Sequence, residues 1–128
     1  MTHPSIDQQI SFFYTNDLEA LSLFYEDVLG LTLKLDQGEC RIYQVTQDAY
    51  LGFCQRAEPL ALAADADDRP LIVTLVTQDV DGWYQVLRQK GIQFERPPAL
   101  NEKFHIYHCF LRDPDGRLIE IQRFLHPF

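Results

Sequence analysis

Two apolar runs along the chain each end at an aspartate, and a helical pattern of apolar residues follows each aspartate. Residues 10–20 read ISFFYTNDLEA and residues 72–82, about half a chain later, read IVTLVTQDVDG. The carboxylates of Asp17 and Asp79 can accept hydrogen bonds from the free amides of a first helical turn, which predicts an N-cap at both positions. Leu18, Leu21, Tyr25 and Leu29 then recur at helical spacing. The pattern predicts a strand followed by a helix in each half of the chain.

Extended segments follow both helices. Gly30 and Gly91 are predicted to end the helices, since a left-handed residue there is favourable for glycine. The extended segments are residues 31–36, 39–46 and 49–55 in the first half, and 92–96, 104–112 and 117–124 in the second. Pro97 and Pro98 are predicted to end the segment 92–96 before a long loop, and the DPDG sequence at 113–116 predicts a tight turn.

Both halves therefore have the order strand, helix and three strands, which predicts an internal duplication. The boundaries are about residues 8–55 for module 1, 56–69 for a linker and 70–124 for module 2, within a single domain 1–128. Helices on one side of a sheet leave its other face free to curve around a ligand. The predicted fold class is α+β, with two βαβββ modules forming an open eight-stranded cup and the helices on its outer face.

Composition and charge narrow the classes of function. Hydrophobic residues make up 46% of the chain and charged residues 23%, which is ordinary for a globular domain. The net charge of −8 argues against a nucleic-acid partner, because phosphate binding needs clustered Lys and Arg. No apolar run approaches the roughly 20 residues of a membrane span, and the polar start of the sequence is unlike a signal peptide. A cytoplasmic protein without a membrane partner is predicted.

The three cysteines are Cys40, Cys54 and Cys109. They are odd in number, far apart, and form no CxxC or Cys/His spacing, so neither a disulfide framework nor a zinc site is predicted. Each is expected to be a small buried apolar residue within a strand.

Two segments resemble a known family. The sequence FYEDVLGL at the first predicted helix and the pattern DPDGxxIEI near residue 120 are similar to the vicinal-oxygen-chelate superfamily, which includes glyoxalases, bleomycin-resistance proteins and extradiol dioxygenases. The resemblance covers residues from about 8 to 124 and implies the same cup-shaped fold. It also implies a homodimer and, in many members, a divalent metal bound by four side chains from the first and last strands of each half, usually His or Glu.

In this sequence the resemblance places those four metal-binding positions at Ile10, Gly52, Ile72 and Glu120. Only Glu120 can bind a metal, so no cofactor is expected and a divalent metal is the less favoured alternative. His105 and His108 are three residues apart in a predicted strand, and alternation sends them to opposite faces, so at most one can join Glu120.

Strand alternation from Glu120 predicts which side chains line the cup. For the third and seventh strands it does not decide which face lines the cup. In the third strand the alternatives are Arg41 and Tyr43, or Cys40, Ile42 and Gln44. In the seventh strand they are His105, Tyr107 and Cys109, or Ile106, His108 and Phe110. The predicted ligand-binding residues are Phe12, Tyr14, Tyr43, Tyr50, Gly52, Cys54, Thr74, Tyr107, Glu120 and Gln122.

The predicted function is a small-molecule-binding protein that holds an aromatic or cationic compound in a cup carrying Glu120. Two enzymatic alternatives stay open. One is a metal-dependent lyase, isomerase or dioxygenase. The other is a cofactor-free enzyme that uses Glu120 as its catalytic base, together with a His or a Tyr.

Overall fold

A computed structural model describes residues 3–58 and 71–127 of the chain. The chain divides into two compact units, Met1–Ala61 and Leu62–Phe128. Each unit has the order strand, helix and three strands, so the predicted α+β fold class with two βαβββ modules is confirmed. Most of the predicted linker, residues 59–69, lies outside the described residues.

The first unit is a four-stranded sheet with one helical segment. Its elements are β1 (Gln9–Thr15), α1 (Leu18–Leu23), which continues as a π-helical turn (Phe24–Val28), β2 (Thr32–Asp36), β3 (Cys40–Thr46) and β4 (Ala49–Gln55). The strand order is β1-β4-β3-β2, with β1 parallel to β4 and the other neighbours antiparallel.

The second unit repeats this topology. Its elements are β5 (Ile72–Val76), α2 (Val80–Gln89), β6 (Arg96–Asn101), β7 (Ile106–Arg112) and β8 (Leu118–Phe124). The strand order is β5-β8-β7-β6, and β5 runs parallel to β8. No helix in the part of the chain that the structure describes is long and apolar enough to cross a membrane.

The predicted helix ends are confirmed. Asp17 accepts a hydrogen bond from the backbone N–H of Ala20 at 3.1 Å, and Asp79 accepts one from Gly82 at 2.9 Å. Gly30 and Gly91 follow the helices with φ of 73° and 88°, a conformation that costs a residue with a Cβ free energy.

The second strand of the second module differs from the sequence prediction of a strand at residues 92–96 ended by Pro97 and Pro98. The observed strand β6 begins at Arg96 and contains both prolines. It lies at the edge of the sheet, and its pairing with β7 shifts register between Arg96 and Ala99. The prolines therefore lie where the ladder is interrupted, so their missing N–H groups leave no strand bond unmade. The other predicted strand bounds agree with the structure to within two residues.

Each helix covers one face of its own sheet. In the first unit Leu21, Tyr25, Tyr43 and Phe53 are fully buried, and the rings of Tyr25 and Phe53 lie 4.4 Å apart. In the second unit the most deeply buried apolar residues are Val80, Leu87, Cys109, Leu111, Ile119 and Ile121. Because strand side chains alternate, the residues between these core positions belong to the opposite face of each sheet, called here the helix-free face.

The cysteines differ from the prediction. Cys40 and Cys54 lie directly opposite each other on β3 and β4 and are joined by a disulfide, so the prediction of free cysteines is wrong for this pair. Strand register brings them together, and their separation along the sequence does not reveal it. Cys109 is free and buried, as predicted.

Candidate functional site

The pairing of three strands assembles a polar cluster on the helix-free face of the second sheet. Thr74 on β5 and Phe110 on β7 both lie opposite Glu120 on β8, and His108 lies opposite Gln122. Directly opposed side chains on one face are about 5 Å apart, close enough to interact. We call Thr74, His108, Glu120 and Gln122 the Glu120 cluster.

The Glu120 carboxylate is the acceptor at the centre of this cluster. Its Oε2 lies 2.6 Å from Nδ1 of His108, and its Oε1 accepts a hydrogen bond from the Thr74 hydroxyl at 2.9 Å. Gln122, with its amide nitrogen turned toward the carboxylate, donates to Oε2 at 2.9 Å and to Oε1 at 3.1 Å. Glu120 is only 8% exposed, so these three donors replace the water that a surface carboxylate would bind.

This arrangement sets the orientation of the His108 ring. An ionised carboxylate can only accept, so the bond to Glu120 requires the proton on Nδ1 of His108. The second ring nitrogen, Nε2, hydrogen-bonds to no group within residues 3–58 and 71–127. In neutral His108, Nε2 is an acceptor, and a ligand that reaches it can donate a hydrogen bond or a proton there.

An aromatic and a cationic side chain adjoin the cluster. The Phe110 ring meets the His108 ring edge-on at 4.8 Å, and the guanidinium of Arg96 lies 5.5 Å from the centre of the Phe110 ring. The site thus combines an aromatic surface with one hydrogen-bonding nitrogen, a pattern typical of small-molecule sites.

Cys109 lies behind the cluster on the opposite face of β7 and is fully buried. Burial, together with the nearby carboxylates of Asp81 and Glu120, raises the pKa of its thiol to about 11. A thiol that stays protonated is a poor nucleophile, so Cys109 is chemically inert at neutral pH.

Two of the predicted ligand-binding residues lie on the wrong face. Tyr43 is opposite Leu51, fully buried beneath the helical segment, where burial raises the pKa of its hydroxyl. Tyr107 donates a hydrogen bond to Asp81 on α2 at 2.5 Å, and that bond raises the Tyr107 pKa. The predicted orientation of Tyr43 and Tyr107 is therefore wrong, because cross-strand register turns both side chains toward a helix.

Five predicted residues lie on the helix-free face of the first sheet: Phe12, Tyr14, Tyr50, Gly52 and Cys54. The Phe12 ring covers Gly52, so that a Cβ at position 52 would collide with it. Tyr14 is 64% exposed and lies beneath the guanidinium of Arg56 at 5.1 Å. Cys54 is held in the disulfide and offers no free thiol to a ligand. Thr74, Glu120 and Gln122, by contrast, belong to the second unit and meet in the Glu120 cluster.

His108 is the residue that the predicted ligand-binding set missed. Alternation alone left it as one of two choices for its strand. The DPDG turn does not decide between them, because a symmetric count outward from residues 113–116 would pair Phe110 with Ile119. The observed register is shifted by one residue, with Arg112 opposite Leu118, and it places Phe110 opposite Glu120 and His108 opposite Gln122.

The residues present do not fit the divalent metal that the superfamily resemblance implies. Ile10, Gly52 and Ile72 stand at three of the four implied positions and have no donor atom in their side chains. Glu120 and His108 offer two donors, and these are bonded to each other. In the described part of the chain, no group of three or more His, Cys, Asp or Glu side chains is placed to hold a metal ion.

Comparison with known proteins gives a family and several relatives. The family model described as the Glyoxalase/Bleomycin resistance protein/Dioxygenase superfamily matches residues 6–121. Among curated proteins, the chain is similar to the uncharacterized protein YraH of Bacillus subtilis (strain 168). The two are 29% identical over 120 residues, which cover 86% of this chain and 92% of YraH.

Solved structures share the fold of this chain. A glyoxalase/bleomycin resistance protein/dioxygenase from Nocardioides superposes with a TM-score of 0.76 at 23% identity, covering 100% of this chain and 89% of that one. A protein of the same description from Alicyclobacillus acidocaldarius gives 0.77 at 18% identity, covering 94% and 92%. Lactoylglutathione lyase from Agrobacterium tumefaciens gives 0.71 at 23% identity, covering 95% and 96%. At these identities the likeness shows the fold alone.

Proposed function

Since the chain belongs to the glyoxalase/bleomycin resistance protein/dioxygenase superfamily, we propose that it binds a small organic molecule at the Glu120 cluster without the metal implied by that resemblance. The membership inferred from the FYEDVLGL and DPDGxxIEI segments is confirmed by the family match over residues 6–121. The observation that carries the proposal is the nearly buried Glu120 carboxylate, which holds His108 by Nδ1 and leaves Nε2 for a ligand.

The surroundings favour an aromatic ligand over a cationic one. Phe110 and the His108 ring offer flat apolar surface, on which an aromatic ring can stack or meet edge to face. A ligand cation would instead have to compete for the Glu120 carboxylate with the three side chains that already donate hydrogen bonds to it. The proposed ligand is therefore an aromatic compound with a hydroxyl or N–H group that donates to Nε2 of His108.

Nitrogen-15 NMR of the His108 ring, with monosubstituted benzenes as probes, tests this proposal. Phenol carries a donor, anisole has the same ring without one, and benzoate carries an acceptor. We expect phenol to shift the His108 Nε2 resonance and anisole to shift it far less. The effect should vanish in His108→Gln and persist in His126→Gln, a matched variant at an exposed histidine of the same unit. Equal responses to phenol and anisole, or a response that survives His108→Gln, would count against the proposal.

A second candidate function is proton transfer without a cofactor, and the 2.6 Å contact between His108 and Glu120 favours it. Nε2 of His108 would take a proton from an acidic C–H, while Glu120 stabilises the resulting imidazolium and fixes its orientation. Glu120 is then a positioning residue, rather than the base that the sequence predicted.

Deuterium exchange into an aromatic ketone such as phenylacetone tests the second candidate. In heavy water the protein should speed exchange beside the carbonyl above the rate in buffer. General acid–base catalysis contributes about 10²–10⁴-fold, so His108→Gln should remove most of the effect. Exchange no faster than with free imidazole at the same concentration would rule out this candidate for ketones. The homodimer that the resemblance implies and the cytoplasmic location stay predictions.

A further inference from the structure

The disulfide of the first unit occupies the position that carries part of the Glu120 cluster in the second unit. In the first sheet, Cys40 on β3 lies opposite Cys54 on β4. In the second sheet, the corresponding strands β7 and β8 place His108 opposite Gln122. The neighbouring pairs establish this correspondence. In the first sheet Gly52 lies between Phe12 and Ile42. In the second sheet Glu120 has the same place, between Thr74 and Phe110.

We propose that the Cys40–Cys54 disulfide is a reversible thiol–disulfide exchange site, which dithiols open and oxidants close while the protein stays folded. The duplication is the first support. The second unit builds the same strand order with a histidine and a glutamine at this pair. The βαβββ topology therefore forms without a crosslink there.

The backbone around the disulfide supplies a second support. The two cysteines form the last pair of the ladder between β3 and β4, and on one side of them the pairs continue from Arg41 opposite Phe53 to Gln44 opposite Tyr50. Beyond the disulfide, Gln55 N–H donates to Glu39 C=O at 2.7 Å. With these bonds in place, breaking the S–S bond leaves the two sulfur atoms facing each other across the strands. The two thiols can then re-form the disulfide without rearrangement of the two strands.

Accessibility is the third support. Cys40 and Cys54 are both partly exposed and lie on the helix-free face, whereas Cys109 is fully buried. Thiol–disulfide exchange requires a thiolate to reach one sulfur of the bond. The disulfide meets this condition in the folded chain, and Cys109 does not.

A dithiol supplies the two electrons and two hydrogens that reduction of the disulfide requires. One thiolate of the dithiol attacks a sulfur of the disulfide, forming a mixed disulfide and releasing the other cysteine as a thiolate, which takes up a proton. The second thiol of the reductant then attacks the mixed disulfide and releases the first cysteine. Two electrons pass to the protein, Cys40 and Cys54 each gain a hydrogen, and the dithiol becomes a cyclic disulfide.

Thiol counting on the native full-length chain tests this proposal. Air-oxidised protein is treated with dithiothreitol, rapidly desalted and labelled with N-ethylmaleimide at neutral pH without denaturant, and the labels are counted by intact mass. We expect no label before reduction, two labels after it, and none again once oxidised glutathione replaces the dithiol. Far-UV circular dichroism should show a folded chain throughout.

Kinetics separate a native exchange site from a crosslink that is reached only by unfolding. The reduction rate should stay constant as urea rises through concentrations well below the unfolding midpoint. A rate that climbs steeply with urea would show that the chain must unfold first and would overturn the proposal. Two labels in air-oxidised protein that persist with oxidised glutathione would overturn it too. Cys109→Ala should leave the count at two, and the Cys40→Ser, Cys54→Ser double variant should reduce it to zero.

Discussion

Breaking the contact between His108 and Glu120 should lower the stability of the second unit by an amount that the hydrogen bonds set. Glu120→Ala removes the acceptor of three side chains, those of Thr74, His108 and Gln122. A hydrogen bond to a charged group contributes about 1.5–3 kcal/mol, and a donor left with access to water loses the least. The His108 side chain is 14% exposed, so the low end applies to its bond. Three bonds at this low end sum to about 4.5 kcal/mol, and the substitution also removes the desolvation cost of a buried carboxylate. We therefore expect Glu120→Ala to cost about 3 kcal/mol in total, and the interaction with His108 to contribute about 1.5 kcal/mol.

A double-mutant cycle of His108→Ala and Glu120→Ala isolates this interaction. Urea unfolding at neutral pH can be followed by the fluorescence of Trp83, which is the single tryptophan of the chain and lies on α2 of the same unit. The control is a cycle of His126→Ala and Glu120→Ala, since His126 lies beyond the end of β8. It should be additive to within about 0.5 kcal/mol. A coupling below about 0.5 kcal/mol between His108 and Glu120 would refute the view that the carboxylate positions this ring.

Three further predictions concern positions outside the cluster. Burial raises the Cys109 pKa from 9.0 to about 11, so only the unfolded chain loses this proton between those pH values. Stability that is present below pH 9 is then lost as the pH rises, by about 2–3 kcal/mol. Between pH 8 and 10.5, urea unfolding should show a loss that is about 2 kcal/mol smaller in Cys109→Ala than in wild type, because the raised pKa values of Tyr43 and Tyr107 contribute equally to both proteins. Gly52→Ala should lower the free energy of unfolding by about 1 kcal/mol, because its methyl group displaces the half-exposed Phe12 ring. Combining it with Phe12→Ala should make the substitution at Gly52 nearly neutral, and an undiminished effect would contradict the collision. Asp113→Asn should cost about 2 kcal/mol, since the fully buried Asp113 side chain accepts from the Arg117 guanidinium at 3.0 Å. Unfolding followed by Trp83 fluorescence measures it, and a neutral result would contradict that estimate.

The fold was predictable because local signals agreed with each other in both halves of the chain. The aspartates at 17 and 79 cap the helices and the glycines at 30 and 91 follow them, as the sequence pattern indicated. Strand β6 was mispredicted, since prolines usually exclude a strand. At a sheet edge with a register shift they do not, and that exception depends on the neighbouring strand.

The site was only partly predictable, because strand alternation gives two faces without saying which one a helix covers. Thr74, Glu120 and Gln122 were placed correctly by parity along their own strands. Tyr43, Tyr107 and His108 required the register between strands, and so did the pairing of Cys40 with Cys54. Register arises from turns and from irregularities such as the shift between Gln44 and Thr46, which hydrophobic periodicity does not record.

The metal content of the purified chain tests the central claim most directly. Protein expressed in medium supplied with manganese, iron, nickel and zinc, and purified without chelators, is analysed by plasma mass spectrometry. We predict far less than one divalent ion per chain, because Ile10, Gly52 and Ile72 supply no ligand and His108 is bonded to Glu120. One tightly held ion per chain, lost in both His108→Ala and Glu120→Ala, would contradict the account.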